Sequence, residues 1–145
     1  MSYTPKNNRD GIRNSFLMPN EIFALGLSGG AILVYTYLRY CENRETYQCY
    51  PSYKTIGKAV GMSKNTVKKY VGILRDKGLI ETEYTSVVTA NGKKRNGNLL
   101  FTLRPISEAL ELFYEEQNRK LSEEIGRAQA LKNIEKFGIQ VEKSA

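Results

Sequence analysis

Residues 50–83 read YPSYKTIGKAVGMSKNTVKKYVGILRDKGLIETE. Two serines in this stretch, Ser52 and Ser63, each stand immediately before a run of helical apolar spacing, where a hydroxyl caps free backbone N–H groups. The pattern predicts one helix over 52–60 and another over about 63–77, with Gly61 between them and Gly78 as the stop. A tight connection between two short helices must admit a left-handed residue, which favours glycine at 61. It also needs apolar residues on both sides, supplied by Ile56, Val60, Met62, Val67 and Tyr70 or Val71. A small residue is needed where the helices cross, and Gly57 provides it. Together these constraints specify a helix-turn-helix.

The second of these helices has a distinctive outer face. With Val67, Tyr70, Val71 and Leu74 turned inward, Lys64, Asn65, Lys68 and Lys69 are left outward, with Ser63 and Thr66 nearby. An amide that can read a base edge, lysines for phosphate or guanine, and small hydroxyls suit a helix entering a major groove. Residues 54–77 hold seven basic side chains and one acid, Asp76, where an idle solvated face would mix the signs. Ser52, Tyr53 and Lys54 open the preceding helix, where unpaired N–H groups and the helix dipole attract phosphate.

Beyond Gly78, the alternation Ile80, Thr82, Tyr84 predicts a strand, and Leu99, Phe101, Leu103 a returning one. Between them, TANGKKRNG at 89–97 carries two turn signals, Asn91-Gly92 and Asn96-Gly97. The expectation is a β-hairpin wing with Lys93, Lys94 and Arg95 at its tip, laid along a DNA backbone or in a minor groove.

Working outward, residues 1–15 are expected to form a flexible basic arm, in which Lys6, Arg9 and Arg13 are candidates to reach a groove. Residues 16–103 form the binding domain, opening with the apolar anchor Phe16–Met18, a short helix over Pro19–Leu25, and a helix capped by Ser28 that runs to about Asn43. Its apolar positions Ala31, Val34, Tyr35, Leu38 and Cys41 mark one buried face. Residues 45–51 read as a connector, in which Gln48-Cys49-Tyr50 is a candidate short extended piece. Residues 104–145 form a C-terminal helical segment that opens after Pro105, as one long helix or two joined near Gly126, with Gly138 as the stop. Ile106, Leu110, Phe113, Leu121, Ile125, Ala128 and Leu131 follow a helical period without a sustained heptad, so packing onto the domain and dimer formation both remain open for it. The fold class is therefore mainly α with a small β-hairpin wing: a winged helix-turn-helix followed by a long C-terminal helix.

Composition narrows the chemistry. The net charge is +7, and residues 1–103 carry 15 basic against 7 acidic side chains, whereas 104–145 are near neutral. The basic excess belongs to the binding domain and points to a polyanion, nucleic acid ahead of membrane. The chain has no histidine, which removes Ser-His-Asp and Cys-His nucleophile systems and histidine-held zinc. A carboxylate-only two-metal nuclease stays formally open, but no compact acidic cluster lies outside the C-terminal helical segment. Cys41 and Cys49 are read as reduced thiols. No apolar run is long enough for a membrane span and no secretory leader is evident, so a cytoplasmic protein is expected. It is expected not to be an enzyme, to need no cofactor, and to have no small-molecule effector.

The run at 50–83 resembles winged helices of replication initiators and other mobile-element proteins of Gram-positive plasmids and phages. The preceding FLMPNEIFALGLSGGAILVYTYLRYCENR, residues 16–44, is similar to their lead-in helices. The central run also resembles the DNA-binding domain of the gluconate-repressor family. The resemblance implies DNA binding, with Ser63, Asn65, Thr66, Lys68 and Lys69 on recognition-helix positions. Three functions follow: a homodimeric, sequence-specific regulator of a bacterial or mobile-element locus bound to double-stranded DNA; a replication initiation or partition factor; or a winged-helix interaction module that no longer binds DNA.

Overall fold

The computed structural model describes residues 14–144, with side chains described up to Phe137. The basic side chains of the arm, Lys6, Arg9 and Arg13, lie outside the described residues. A short 3-10 helix, Asn20–Ala24, follows Pro19, within the short helix expected over Pro19–Leu25. Four α-helices and five strands follow: α1 (Gly29–Cys41), β1 (Gln48–Cys49), α2 (Tyr53–Val60), α3 (Lys64–Asp76), β2 (Ile80–Glu83), β3 (Ser86–Val88), β4 (Lys94–Asn96), β5 (Leu100–Leu103) and α4 (Ile106–Ser144). No helix among the described residues is long and apolar enough to cross a membrane.

Serine caps set the starts of the first three helices. Ser28 accepts from the Ala31 N–H at 3.4 Å, Ser52 from Thr55 at 3.1 Å and Ser63 from Thr66 at 3.2 Å. Each satisfies a donor that the helix itself leaves unpaired. Between α2 and α3, Gly61 adopts φ 71°, ψ 39°, the left-handed conformation the turn requires. Gly57 faces the carbonyl oxygen of Met62 so closely that a Cβ would sit 2.4 Å from it. The crossing at this point admits no side chain.

The core lies where α1, α2 and α3 meet one face of the sheet. Ala31, Val34, Tyr35 and Leu38 from α1, Ile56 from α2, and Val67, Val71 and Leu74 from α3 are buried with Leu79, Ile80, Phe101 and Leu103. Removing a Leu, Ile or Phe side chain of this kind from water is worth about 1.5–3 kcal/mol. The three-stranded sheet has the order β1-β5-β2 and is antiparallel throughout. Ile80 pairs with Leu103 and Glu83 with Leu100, while Gln48 and Cys49 pair with Thr102 and Phe101.

The wing departs from expectation in three places. β2 ends at Glu83, and Tyr84 turns out of the sheet to 93% exposure instead of continuing the inward row of Ile80 and Thr82. The hairpin then resumes as a separate two-stranded ribbon, β3 with β4, in register Ser86–Asn96, Val87–Arg95 and Val88–Lys94. Its tip is Asn91-Gly92, with Gly92 at φ 76°, and Gly92 N–H bonds to the Thr89 carbonyl at 2.8 Å. Asn96-Gly97 makes no reversal. Lys94 and Arg95 consequently sit in β4, and of the three expected tip cations only Lys93 borders the turn.

α4 is one continuous helix of 39 residues, roughly 58 Å at 1.5 Å per residue. It passes through Gly126 and also through Gly138, the expected stop. A glycine weakens a helix by only about 1 kcal/mol relative to alanine, too little by itself to end one this long. Among the described residues only its first turns pack on the domain: Ala109 is in the core, and Ile106, Leu110 and Phe113 lie against it.

Candidate nucleic-acid interface

α3 is held by its apolar side and presents its cations outward. Val67, Val71 and Leu74 are buried, while Lys64, Asn65, Lys68 and Lys69 are exposed. The helical period that sends every third or fourth residue into the core leaves Lys64 and Lys68, one turn apart, on a common outer row. Lys69 leans to the other flank, its Nζ 5.6 Å from the centroid of the Tyr70 ring. Ser63 and Thr66 are engaged with each other, their hydroxyls 2.9 Å apart, while Ser63 caps the helix. Ser52 and Thr55 repeat the arrangement at the start of α2, also at 2.9 Å.

Between α3 and the base of the wing runs a cleft of about 420 Å³. One side is built from Ser52, Tyr53 and Lys54 at the α2 N-terminus together with Lys64 and Lys68 of α3; the other is built from Tyr84 and Asn96, Gly97 and Asn98. Every charged side chain lining it is a lysine. Burial raises the Tyr53 phenol above its ordinary range, with a further upward push from neighbouring Tyr84 and a downward pull from Arg75. The Tyr53 hydroxyl therefore stays protonated near neutral pH and can donate to an acceptor such as a phosphate oxygen.

The wing side of the cleft is fixed. The Asn98 side-chain amide donates to the Tyr50 carbonyl at 3.1 Å, and the Thr85 hydroxyl donates to the Asn98 carbonyl. Gly97 N–H bonds to the Thr85 carbonyl at 2.7 Å. Arg75 is tied to the sheet, donating to the Thr82 hydroxyl at 3.1 Å, and so is not offered to the cleft.

Of the residues singled out from sequence, the cleft gathers Ser52, Tyr53, Lys54, Lys64 and Lys68. Asn65 and Lys69 lie on the adjoining outer face of α3, and Lys93, Lys94 and Arg95 stand out on the exposed ribbon. Sequence reasoning missed Tyr84, Asn96 and Asn98. The alternation Ile80, Thr82, Tyr84 reads only as a strand, and the Asn96-Gly97 pair as a turn signal, although both segments form part of the cleft wall. Among the described residues no group of histidine, cysteine, aspartate or glutamate could hold a metal ion.

A tight two-helix turn, a third helix packed behind it, a cationic outer helix and a β-ribbon beside that helix define a winged helix-turn-helix. The comparisons with known proteins agree on the first part: residues 25–80 match a family model described as a helix-turn-helix domain. No curated protein matches the chain by sequence. Among solved structures, the chain is similar to a possible transcriptional regulator from Methanosarcina mazei Go1, at 13% identity, 79% coverage of this chain and 97% of that one, with a TM-score of 0.49. It is also similar to the S. aureus MepR–DNA complex, at 16% identity, 79% and 86% coverage, with a TM-score of 0.37.

Proposed function

We propose that this chain is a sequence-specific double-stranded DNA-binding protein, without enzymatic activity, that acts as a homodimer to regulate transcription of a bacterial or mobile-element locus. The observation that carries the reading is the exposure of Lys64, Asn65 and Lys68 on a helix whose opposite side is core. The match of residues 25–80 to a helix-turn-helix model supports it. In this reading α3 enters the major groove with Asn65 on a base edge, and Lys54, Lys64 and Lys68 grip backbone phosphates. Tyr53, the Ser52 end of α2 and Lys69 flank the same backbone, with Ser63 and Thr66 positioning the start of α3. Lys93, Lys94 and Arg95 lay the ribbon along the duplex. The basic part of the chain, 15 cations against 7 acids over residues 1–103, supplies the long-range attraction.

The test is duplex binding followed across salt. Each phosphate neutralised contributes about −0.9 to the slope of log affinity against log salt, so six to ten contacts weaken binding by about 10³–10⁵ between roughly 50 and 200 mM. A flat response would overturn the DNA reading in favour of a protein-interaction module. Selection of bound sites from a random duplex pool then separates roles: a single inverted repeat fits a regulator, and iterated repeats fit a replication or partition factor.

A further inference from the structure

Two thiols that the DNA-binding reading leaves unused line one hollow of about 660 Å³ between α1 and the segment leading to α2. Cys41 ends α1 and is half-buried, Cys49 lies in β1 and is 5% exposed, and both are free. The walls include Tyr37 of α1, Asn43, Thr46 and Gln48, and no charged side chain lines them.

The backbone brings the two cysteines together. After α1 the chain doubles back: Tyr47 N–H bonds to the Asn43 carbonyl at 2.6 Å, and Asn43 N–H to the Gln48 carbonyl at 2.9 Å. This return lays Cys49 against the last turn of α1, where its thiol donates to the Leu38 carbonyl at 3.7 Å. The same carbonyl accepts from Glu42 N–H at 2.9 Å, so Cys49 shares an acceptor with the residue that adjoins Cys41.

Burial pushes the Cys49 thiol up to about 12, with Cys41 and Glu42 near enough to add to the shift. Burial raises Cys41 too, and a hydrogen bond with Tyr37 pulls the other way. Neither thiol is therefore a strong nucleophile toward a passing reagent near neutral pH. A thiol held beside its target reacts by proximity instead. Exposure then sets an order, because only Cys41 offers its sulfur to the solvent side of the hollow.

From this arrangement we infer that Cys41 and Cys49 form a site of reversible modification, at which a small neutral disulfide oxidises the pair to an intramolecular disulfide. Cys41 loses its proton and attacks one sulfur of the reagent; the reagent's S–S bond breaks, and one small thiolate leaves and takes up a proton. Cys49 then loses its proton and attacks Cys41 Sγ, expelling the second small thiolate, which is protonated in turn. Two protein thiols are oxidised to one disulfide, and the reagent is reduced to two thiols. The new bond draws the sulfurs closer than any non-bonded contact, so β1 shifts toward α1. The next residue, Tyr50, holds the Asn98 side-chain amide through its carbonyl at 3.1 Å, which carries the shift to the wing side of the cleft.

The experiment exposes the full, reduced chain to 2-hydroxyethyl disulfide under native conditions and follows intact mass, peptide maps and side-chain amide resonances. It needs no DNA, so its outcome is separable from that of the duplex reading. The wild-type chain is expected to lose two hydrogens, keep no adduct, yield a linked Cys41–Cys49 peptide and return to its starting mass with dithiothreitol. The Asn98 amide resonances should move on oxidation and move back on reduction. Cys49→Ala should stop at the mixed disulfide on Cys41, and Cys41→Ser should react at least about tenfold more slowly than wild type, since access limits exchange. Should Cys49→Ala fail to fold, wild type and Cys41→Ser decide between them. A lasting adduct on the wild-type chain, chains linked in pairs, no reaction, an unmoved Asn98 amide, or a Cys41→Ser variant as fast as wild type would overturn the inference.

Discussion

Asn65 stands exposed one residue after Lys64, and its side-chain amide can pair with a base edge through two hydrogen bonds, whereas Lys94 sits out on β4, where only a phosphate is within the chemistry of an ammonium group. Asn65→Ala is therefore expected to reduce the preference for a selected site over random duplex by about 1–3 kcal/mol, and Lys94→Ala to weaken both by a similar factor. Competition binding against the two duplexes measures this, and equal effects from the two substitutions would break the division between reading and anchoring. Glycines provide a test of the fold at the same scale. A Cβ at Gly57 would meet the Met62 carbonyl at 2.4 Å, and backbone cannot step aside as a flexible side chain can. Gly57→Ala should lower stability by about 1–3 kcal/mol. At Gly72, on the same pair of helices, the nearest atom is the end of Arg75 at 4.0 Å, so Gly72→Ala should instead raise stability by about 0.5–1 kcal/mol. Urea midpoints of the two variants should move in opposite directions; movement in the same direction would mean the α2–α3 crossing is not as close as described.

At the scale of elements, α3 depends on its first turn. Ser63 caps the Thr66 N–H and holds the Thr66 hydroxyl, so Ser63→Ala should lower stability by about 1 kcal/mol and Ser63→Asn should restore most of it. If alanine and asparagine behaved alike in urea, the cap would not be contributing. Caps of this kind made the helices legible in the sequence: Ser28, Ser52 and Ser63 each act through a bond to a residue three positions on, and Gly61 sits inside the turn it creates. Interactions of that range can be read from a short window. β1 is not fixed by such a window: Gln48 and Cys49 are ordered by Thr102 and Phe101, more than fifty residues away. The wing was legible as a hairpin but not in its details. The break at Tyr84 depends on how Thr85, Gly97 and Asn98 bond across the ribbon, and that break turns Tyr84 into the cleft. The run of α4 through Gly138 was missed because a stop signal was weighed without the length of helix behind it.

Across the whole molecule, α4 is out of proportion to the domain it leaves. Among the described residues it makes no core contact after Phe113, and Leu121, Ile125, Leu131, Ile134 and Phe137 are each more than half exposed. Helical geometry places Leu121, Ile125 and Ala128 on one side and the ion pairs Glu116–Lys120, Arg119–Glu123 and Glu123–Arg127 on the other. Exposed pairs of this kind are worth at most a few tenths of a kcal/mol each, so they do not by themselves account for a projecting helix of this length. Burial of the apolar side against a second copy would account for it, and a two-fold dimer would then present two α3 helices to an inverted repeat. The place to cut follows from the packing. Ending the chain after Arg104 would remove Ala109 and Phe113 and damage the core, whereas ending it after Gln117 keeps every packed turn. The shortened chain is expected to keep the urea midpoint of the full chain extrapolated to low concentration, to sediment as a monomer where the full chain sediments as a dimer, and to bind an isolated half-site as well as before. Its affinity for the full inverted repeat should fall, because two linked half-sites engage together far more strongly than either alone. A shortened chain that stayed dimeric would move the interface onto the domain itself, where Leu17, Phe23, Leu33 and Tyr40 are exposed large apolar side chains that precede or lie on α1.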